Sequence, residues 1–413
     1  NNNTVLTGSA GTGKTTVVKA IIEIYDKFFP THEISLSAPT GRASKKLEES
    51  TGHFAQTNHR LLGYKQSDKN GQQAGFEYDE ENKLPHDFFV IDEMSMVDLH
   101  MAYSLFMAME RDAKILLIGD VNQLPAIGAG NVLKDLLETE VIPKVRLTEI
   151  YRQAKNSQII INANNVNAGK RVVVDHSRGD MYFINQQRDE GIFQMIIRSV
   201  LRFKELGYDT SDILVLSPMK KGIIGTIELN KKLQEVLNPK SVDKAEVKHG
   251  NRIFRVGDRV MQTVNQAEKG IYNGDIGTIT YIGEMEVEID DDTKAIKEVI
   301  VTDFQGNEVV HLREEWKELE HGYAITIHKS QGGQAPIVIM PISTSHYVML
   351  ARNLLYTGMT RAEKILVIIG RQQALSQCIS NNKTSQRNTK LKDRIEALHK
   401  IRTGSFLRKM VNQ

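Results

Sequence analysis

Eight residues near the start of the chain, Gly8, Ser9, Ala10, Gly11, Thr12, Gly13, Lys14 and Thr15, fit the spacing G-x-x-x-x-G-K-[ST]. Backbone N–H groups of such a loop and the helix that follows it attract phosphate oxygens, and glycine lets the backbone come close. Lys14 then reaches the β- and γ-phosphates, Thr15 offers its hydroxyl to Mg²⁺, and Thr16 continues the binding loop into the helix. At ordinary glycine usage the pattern arises by accident in roughly one chain of this length in a hundred. Its flanks strengthen it: "TVLT" predicts a short strand before the loop and "TTVVKAIIEIY" an amphipathic helix after it.

A triphosphate held this way needs a carboxylate for its metal ion. The apolar run Phe88 to Ile91 predicts a buried parallel strand ending in Asp92 and Glu93. Asp92 suits Mg²⁺, and Glu93 suits orientation or deprotonation of an attacking water. A third strand, Ala113 to Gly119, runs into Asp120 and Gln123. Parallel strands put their C-terminal ends on one edge, so these groups gather beside Lys14, where Gln123 could sense the γ-phosphate.

Composition limits what surrounds this chemistry. The chain has 413 residues, 40% hydrophobic and 25% charged, enough for two or three globular domains. Its one cysteine, Cys378, excludes an internal disulfide framework and a cysteine-rich metal site. No run approaches the roughly 18 apolar residues of a membrane span, and "NNNT" is unlike a signal peptide, so a cytoplasmic protein without a membrane partner is expected. Net charge is +2, yet residues 380–413 carry nine Lys/Arg against two acids. That tail suits either nucleic acid or a solvated helix.

Further motifs lie outside phosphate chemistry. "SLSAPTGRASKKL" places Pro39, Thr40 and Arg42 after a strand, and "QTNHRLLGY" places Thr57 and His59 after another. Hydroxyls, a guanidinium and an imidazole on such loops suit phosphodiester contacts, and they equally suit ordinary polar turns. With "LTEIYRQ", "YAITIHKSQGG" and "LLYTGMTRAEKILVIIG", the ordered set resembles the motifs of superfamily one helicases, in particular the RecD-like group (the exodeoxyribonuclease V alpha subunit family) of the 5′ to 3′ branch. The resemblance covers nearly the whole chain.

It implies an ATP-dependent DNA helicase of recombination or repair type, using ATP and Mg²⁺ on single-stranded DNA and single/double-strand junctions, with other repair or nuclease subunits as possible partners. It further implies that Arg152 and Arg361 reach the γ-phosphate from a second motor domain and that Tyr151 stacks on the nucleotide base. Pro39, Thr40, Arg42, Thr57, His59, Thr326, His328 and Gln331 would line the DNA track. The family usually carries Ser-Glu where this chain has Gly333 and Gln334, which leaves Gln334 at a nucleotide contact without its carboxylate. The adenine-reading glutamine motif expected upstream of the cradle is missing from this sequence.

The expected fold is α/β: two RecA-like P-loop motor domains with parallel sheets, a β-hairpin insertion and a small SH3-like β-barrel insertion. Residues 1–150 form the first motor, with a hairpin pin at 64–86; 151–245 and 319–375 form the second; 246–318 form the barrel; 376–413 form the basic tail. "EIDDD" in the barrel reads as a solvated hairpin turn and not as a metal cluster. Three other readings stay open at this point. They are an RNA helicase of the same superfamily, a nucleotide-switched DNA-binding subunit of a larger nuclease or conjugation complex, and a small-molecule P-loop kinase, which one domain would ordinarily suffice to build.

Overall fold

The structure is a computed structural model and describes residues 3–65, 75–149, 156–290, 293–382 and 387–403. The chain divides into two compact units. The first comprises Asn1–Val172, Ala351–Thr357 and Ile379–Gln413, and the second Val173–Leu350 and Gly358–Cys378.

The first unit is built on six strands: β1 (Asn3–Gly8), β2 (Ile34–Ala38), β3 (Ala55–Thr57), β4 (Phe88–Ile91), β5 (Lys114–Gly119) and β6 (Lys144–Leu147). They pair in the order β3-β2-β4-β5-β1-β6, every pair parallel. Strand side chains alternate faces, so an unbroken apolar strand needs cover on both sides. Phe89 and Ile91 of β4 accordingly join one core with Val5, Ile115 and Leu117, while Phe88 and Val90 join another with Leu6, Leu36 and Ile118. Helix α1 (Lys14–Phe28) covers the second core with Val18 and Ile22. Helix α2 (Gly41–Thr51) follows β2, and the single turn α3 (Asn58–Leu61) follows β3. Of the expected hairpin, an antiparallel bridge between Lys65 and Gly75 is described; 66–74 lie outside the described residues.

The second unit holds another all-parallel sheet. Its strands are β7 (Met181–Asn185), β8 (Ile213–Ser217), β16 (Ala324–Thr326), β17 (Ala335–Ile342) and β18 (Ala362–Gly370), in the order β16-β8-β17-β18-β7. Between β8 and β16 the chain forms a five-stranded antiparallel sheet from β11 (Arg259–Gln262), β12 (Ile276–Asp290), β13 (Thr293–Phe304), β14 (Asn307–Leu312) and β15 (Leu319–His321). Phe254, Val260, Ile279, Ile300, Trp316 and Leu319 fill its core. The fold class is therefore α/β with two parallel sheets and an antiparallel β insertion.

Two segments fall differently from the expected boundaries. Ala351–Thr357 and the chain from Ile379 onward belong to the first unit, although sequence reading joined 319–375 into one motor and left 376–413 as a tail. The reason is specific hydrogen bonding. Arg387 donates to the carbonyls of Ala126, Gly128 and Gly130 at 2.6–2.8 Å, and Thr389 donates to Asp135 at 2.7 Å. Helix α11 (Leu391–Arg402) then packs Leu391 and Ile395 on the first unit's core. No helix among the described residues is long and apolar enough to cross a membrane.

Candidate nucleotide site and nucleic-acid edges

The loop between β1 and α1 has the shape its glycines require. Gly11 and Gly13 have φ of 78° and 77°, in the left-handed region that side chains disfavour. At Gly8 a Cβ would lie 2.5 Å from Thr12 Oγ1, so only glycine fits there. Helix α1 begins without a side-chain cap or an acid in its first turn, which leaves its N-terminal N–H groups to face an anion. Lys14 Nζ folds over the same loop, donating to Gly8 O at 2.6 Å and Ser9 O at 3.2 Å.

Asp92 and Glu93 follow β4 on this same edge, with β5 between β4 and β1 in the sheet. Glu93 has φ 52° and ψ 40°, one of two described non-glycine residues with positive φ. Its N–H donates to Asp92 Oδ1 at 2.7 Å. Burial, reinforced by the neighbouring Glu93 charge, lifts the Asp92 carboxyl to about 6, while Lys14 and Lys46 oppose the rise. Asp120, after β5, is 1% exposed and its carboxyl is also raised by burial against the pull of Lys14. Gln123 is buried, and its Oε1 has no partner among the described residues.

Sequence reading missed Tyr356. Its Oη accepts from the N–H of Ala10, inside the phosphate loop, at 3.0 Å and donates to Asp120 Oδ2 at 2.5 Å. Thr357 Oγ1 accepts from Leu124 N at 2.9 Å. Both sit in "LLYTGMTR", a stretch singled out for Arg361; nothing local in it announces a bond to residues more than 230 positions away.

The residues expected to meet nucleic acid divide into groups. In the first unit, Pro39 and Thr40 follow β2, Arg42 lies on α2, and Thr57 ends β3 with His59 in the next turn. Thr40 and Thr57 serve as helix N-caps, accepting from Ala43 N at 3.3 Å and Arg60 N at 3.2 Å. His59 packs edge-on to Tyr64, ring centres 5.7 Å apart, and burial lowers its pKa, so the ring is neutral near pH 7. In the second unit, Thr326 ends β16, and His328, also held below its ordinary pKa by burial, follows with Gln331.

Gln334 and Arg361 immediately precede β17 and β18, which puts them at the opposite edge of that parallel sheet from Thr326. Those two are brought together: Gln334 Nε2 donates to Thr360 O at 3.4 Å, and the buried Arg361 donates from Nη1 to Gly333 O at 2.9 Å. Tyr151 and Arg152 lie outside the described residues.

Among the described residues no group of three His, Cys, Asp or Glu could hold a metal ion by itself. Mg²⁺ characteristically binds through one or two protein ligands plus phosphate and water, so the Thr15 hydroxyl and the Asp92 carboxylate are donor types that fit it.

Comparison with known proteins agrees with this geometry. Residues 1–129 match the family described as "AAA domain", 229–302 match "ATP-dependent RecD-like DNA helicase SH3 domain", and 321–369 match "UvrD-like helicase C-terminal domain". The chain is 35% identical over 393 residues to the ATP-dependent RecD2 DNA helicase of Deinococcus radiodurans, covering 95% of this chain and 50% of that protein. It is 27% identical to the RecBCD enzyme subunit RecD of Mycolicibacterium smegmatis, covering 91% of this chain and 70% of that one. In fold it resembles Bacteroides Pif1 bound to single-stranded DNA (TM-score 0.52, 20% identity, 96% and 93% covered). It likewise resembles the Pif1 helicase of Candida albicans (TM-score 0.51, 18% identity, 92% and 93% covered). The matched segments are those of a P-loop domain and of helicase domains. The chain is similar to RecD-like helicases, and it spans half the length of its Deinococcus relative.

Proposed function

We propose that this chain is the motor of an ATP-dependent DNA helicase that moves 5′ to 3′ along single-stranded DNA in recombination or repair. The observation that carries the reading is the gathering on one sheet edge of the phosphate loop with Lys14, buried Asp92, left-handed Glu93 and unpartnered Gln123. The RecD-like barrel segment and the second parallel sheet support DNA as the track, because a simple phosphotransferase needs neither.

In this proposal residues Gly8 to Thr16 and Lys14 bind the triphosphate, and Tyr151 and Gln334 contact the nucleotide. Thr15 and Asp92 would hold Mg²⁺, which when bound neutralises phosphate charge. Glu93 takes the proton of the attacking water, Gln123 reads the γ-phosphate, and Arg152 and Arg361 supply positive charge to the transition state. Pro39, Thr40, Arg42, Thr57, His59, Thr326, His328 and Gln331 contact the strand. A cytoplasmic location accompanies this reading.

The test is ATPase rate with and without single-stranded DNA, beside RNA of the same sequence, followed by strand displacement from 5′ and 3′ overhangs. Strong stimulation by DNA and opening from the 5′ overhang alone are expected. Equal stimulation by RNA rejects the DNA assignment, and opening only from 3′ overhangs rejects the polarity. A second reading is favoured by the likeness to a subunit of the RecBCD enzyme: a nucleotide-switched clamp that moves nothing by itself. Single-turnover strand displacement by the isolated chain eliminates that clamp.

A further inference from the structure

Beside the edge that carries Asp92 and Gln123, the first unit holds a partly open space that shares Gln123 with it. It is a cavity of about 280 Å³, just below the roughly 300–1,000 Å³ typical of small-molecule sites. Three side-chain atoms on its wall, Ser95 Oγ, Gln123 Oε1 and Asn167 Nδ2, are buried without a partner among the described residues. An unsatisfied buried polar atom costs about 1–3 kcal/mol, so three around one space mark a place built to meet a polar occupant.

The lining also fixes the sign of the charge it welcomes. Lys134, ion-paired to Glu138 at 3.7 Å, and Arg352 are on the wall, and no Asp or Glu is among the described residues that form it. Arg352 is held in place, donating from Nε to Ile379 O at 2.8 Å and from Nη1 to Asn167 O at 3.4 Å. Val121, Pro125 and Leu133 supply an apolar side. Amides, two cations and an apolar wall together match a phosphate joined to a flat or sugar-like body. Gln123 Oε1 is an acceptor, which a bare phosphate dianion does not satisfy and a ligand carrying an N–H or O–H does.

We infer that this cavity binds a phosphate ester of mononucleotide size, distinct from the triphosphate in the cradle, with Ser95, Gln123 and Asn167 as its polar contacts and Lys134 and Arg352 as its charge partners. Two sources share this chemistry: a free nucleoside monophosphate, or one nucleotide of a bound single strand. Either occupant would touch Gln123 and so meet the group assigned to γ-phosphate sensing. The inference itself rests on the cavity and not on strand movement.

The test titrates dAMP and inorganic phosphate into the full chain carrying Lys14→Ala, which disables the cradle, and into the same chain with Lys134→Glu or Asn167→Leu added. Saturable dAMP binding that survives Lys14→Ala, weakens tenfold or more in both added variants, and exceeds phosphate binding at least tenfold is expected. Lys134 lies at the half-open rim with 32% of its side chain exposed, so Lys134→Glu carries the test if Asn167→Leu does not fold. Absence of saturable binding, which leaves a cavity of ordered water only, overturns the inference. So does binding that both added variants leave unchanged, or phosphate binding as tight as dAMP. Repeating the titration with a bound oligonucleotide separates the sources: loss of dAMP uptake assigns the pocket to the strand, and retained uptake assigns it to a free nucleotide. The readout is binding, so failure of the helicase reading does not mimic failure here.

Discussion

Glu93 and Gln305 are the described non-glycine residues with positive φ, and they differ in what they sit beside. Gln305 occupies the turn between β13 and β14, whereas Glu93 stands next to a buried carboxylate on the phosphate edge. A left-handed side chain costs about 1–2 kcal/mol, and such strain concentrates at functional positions. Glu93→Gln is predicted to keep nucleotide binding and thermal stability while lowering turnover by about 10²–10⁴, the ordinary share of a general base; phosphate release beside a nucleotide-binding titration checks it. Lys14→Ala is predicted to bring DNA-stimulated ATPase to near background in the same assay.

Asp92 adds a pH dependence. Its carboxyl stays protonated to about pH 6, and a metal ligand must be ionised. ATPase at subsaturating Mg²⁺ is therefore predicted to rise as pH increases through about 6 and to level above it, and Asp92→Asn to abolish that step. At Tyr356 the expectation concerns packing. Tyr356→Phe removes both the acceptor for Ala10 N and the donor to buried Asp120, and is predicted to cost about 1–3 kcal/mol by urea denaturation.

At the scale of elements, the barrel carries its own titration. His311 on β14 is fully buried with neither ring nitrogen partnered, and burial, aided by Lys269, lowers its pKa to about 4. The unfolded imidazole titrates near 6.5, so between pH 6.5 and 4 the unfolded chain binds the extra proton. Stability is whole above pH 6.5 and drains as pH falls through that window, by an amount on the order of 3 kcal/mol. The chain's one tryptophan, Trp316, is buried in this barrel and donates from Nε1 to the His311 carbonyl at 3.0 Å. Trp316 fluorescence during denaturation at pH 7 and pH 4.5 is predicted to show the loss, and His311→Leu to flatten it. Asp258 shows what else holds the element: it accepts from Gln234 and Asn238 of helix α8 (Thr226–Leu237) and its C-cap, and from Tyr323. That network spans the insertion and the sheet that bears it, and no short window of sequence displays it.

For the molecule as a whole, the proposed polarity is the property to measure. A forked duplex with a 5′ single-stranded arm is predicted to open with ATP and Mg²⁺, and one with only a 3′ arm to stay closed; strand-displacement gels decide it. Much of the architecture was legible because its signals are local. The apolar runs at Phe88–Ile91 and Ala113–Gly119 can be satisfied only by burial on both faces, and both lie in a parallel sheet. The 64–86 insertion was less legible, since its polar, weakly periodic residues carry no such demand; among its described residues Lys65 and Gly75 form an antiparallel bridge.

The sequence alone determined the phosphate loop, the strands that end in Asp92 and Asp120, and the alternating β insertion. Each follows from backbone geometry and side-chain period over a few consecutive residues. Only the tertiary structure decided that Tyr356 completes the loop at Ala10, that Arg387 ties the chain after Ile379 to the first unit, and that three unpartnered polar atoms share one cavity. Those facts depend on which distant segments meet, and pairing across hundreds of residues leaves no mark in the local pattern of either partner.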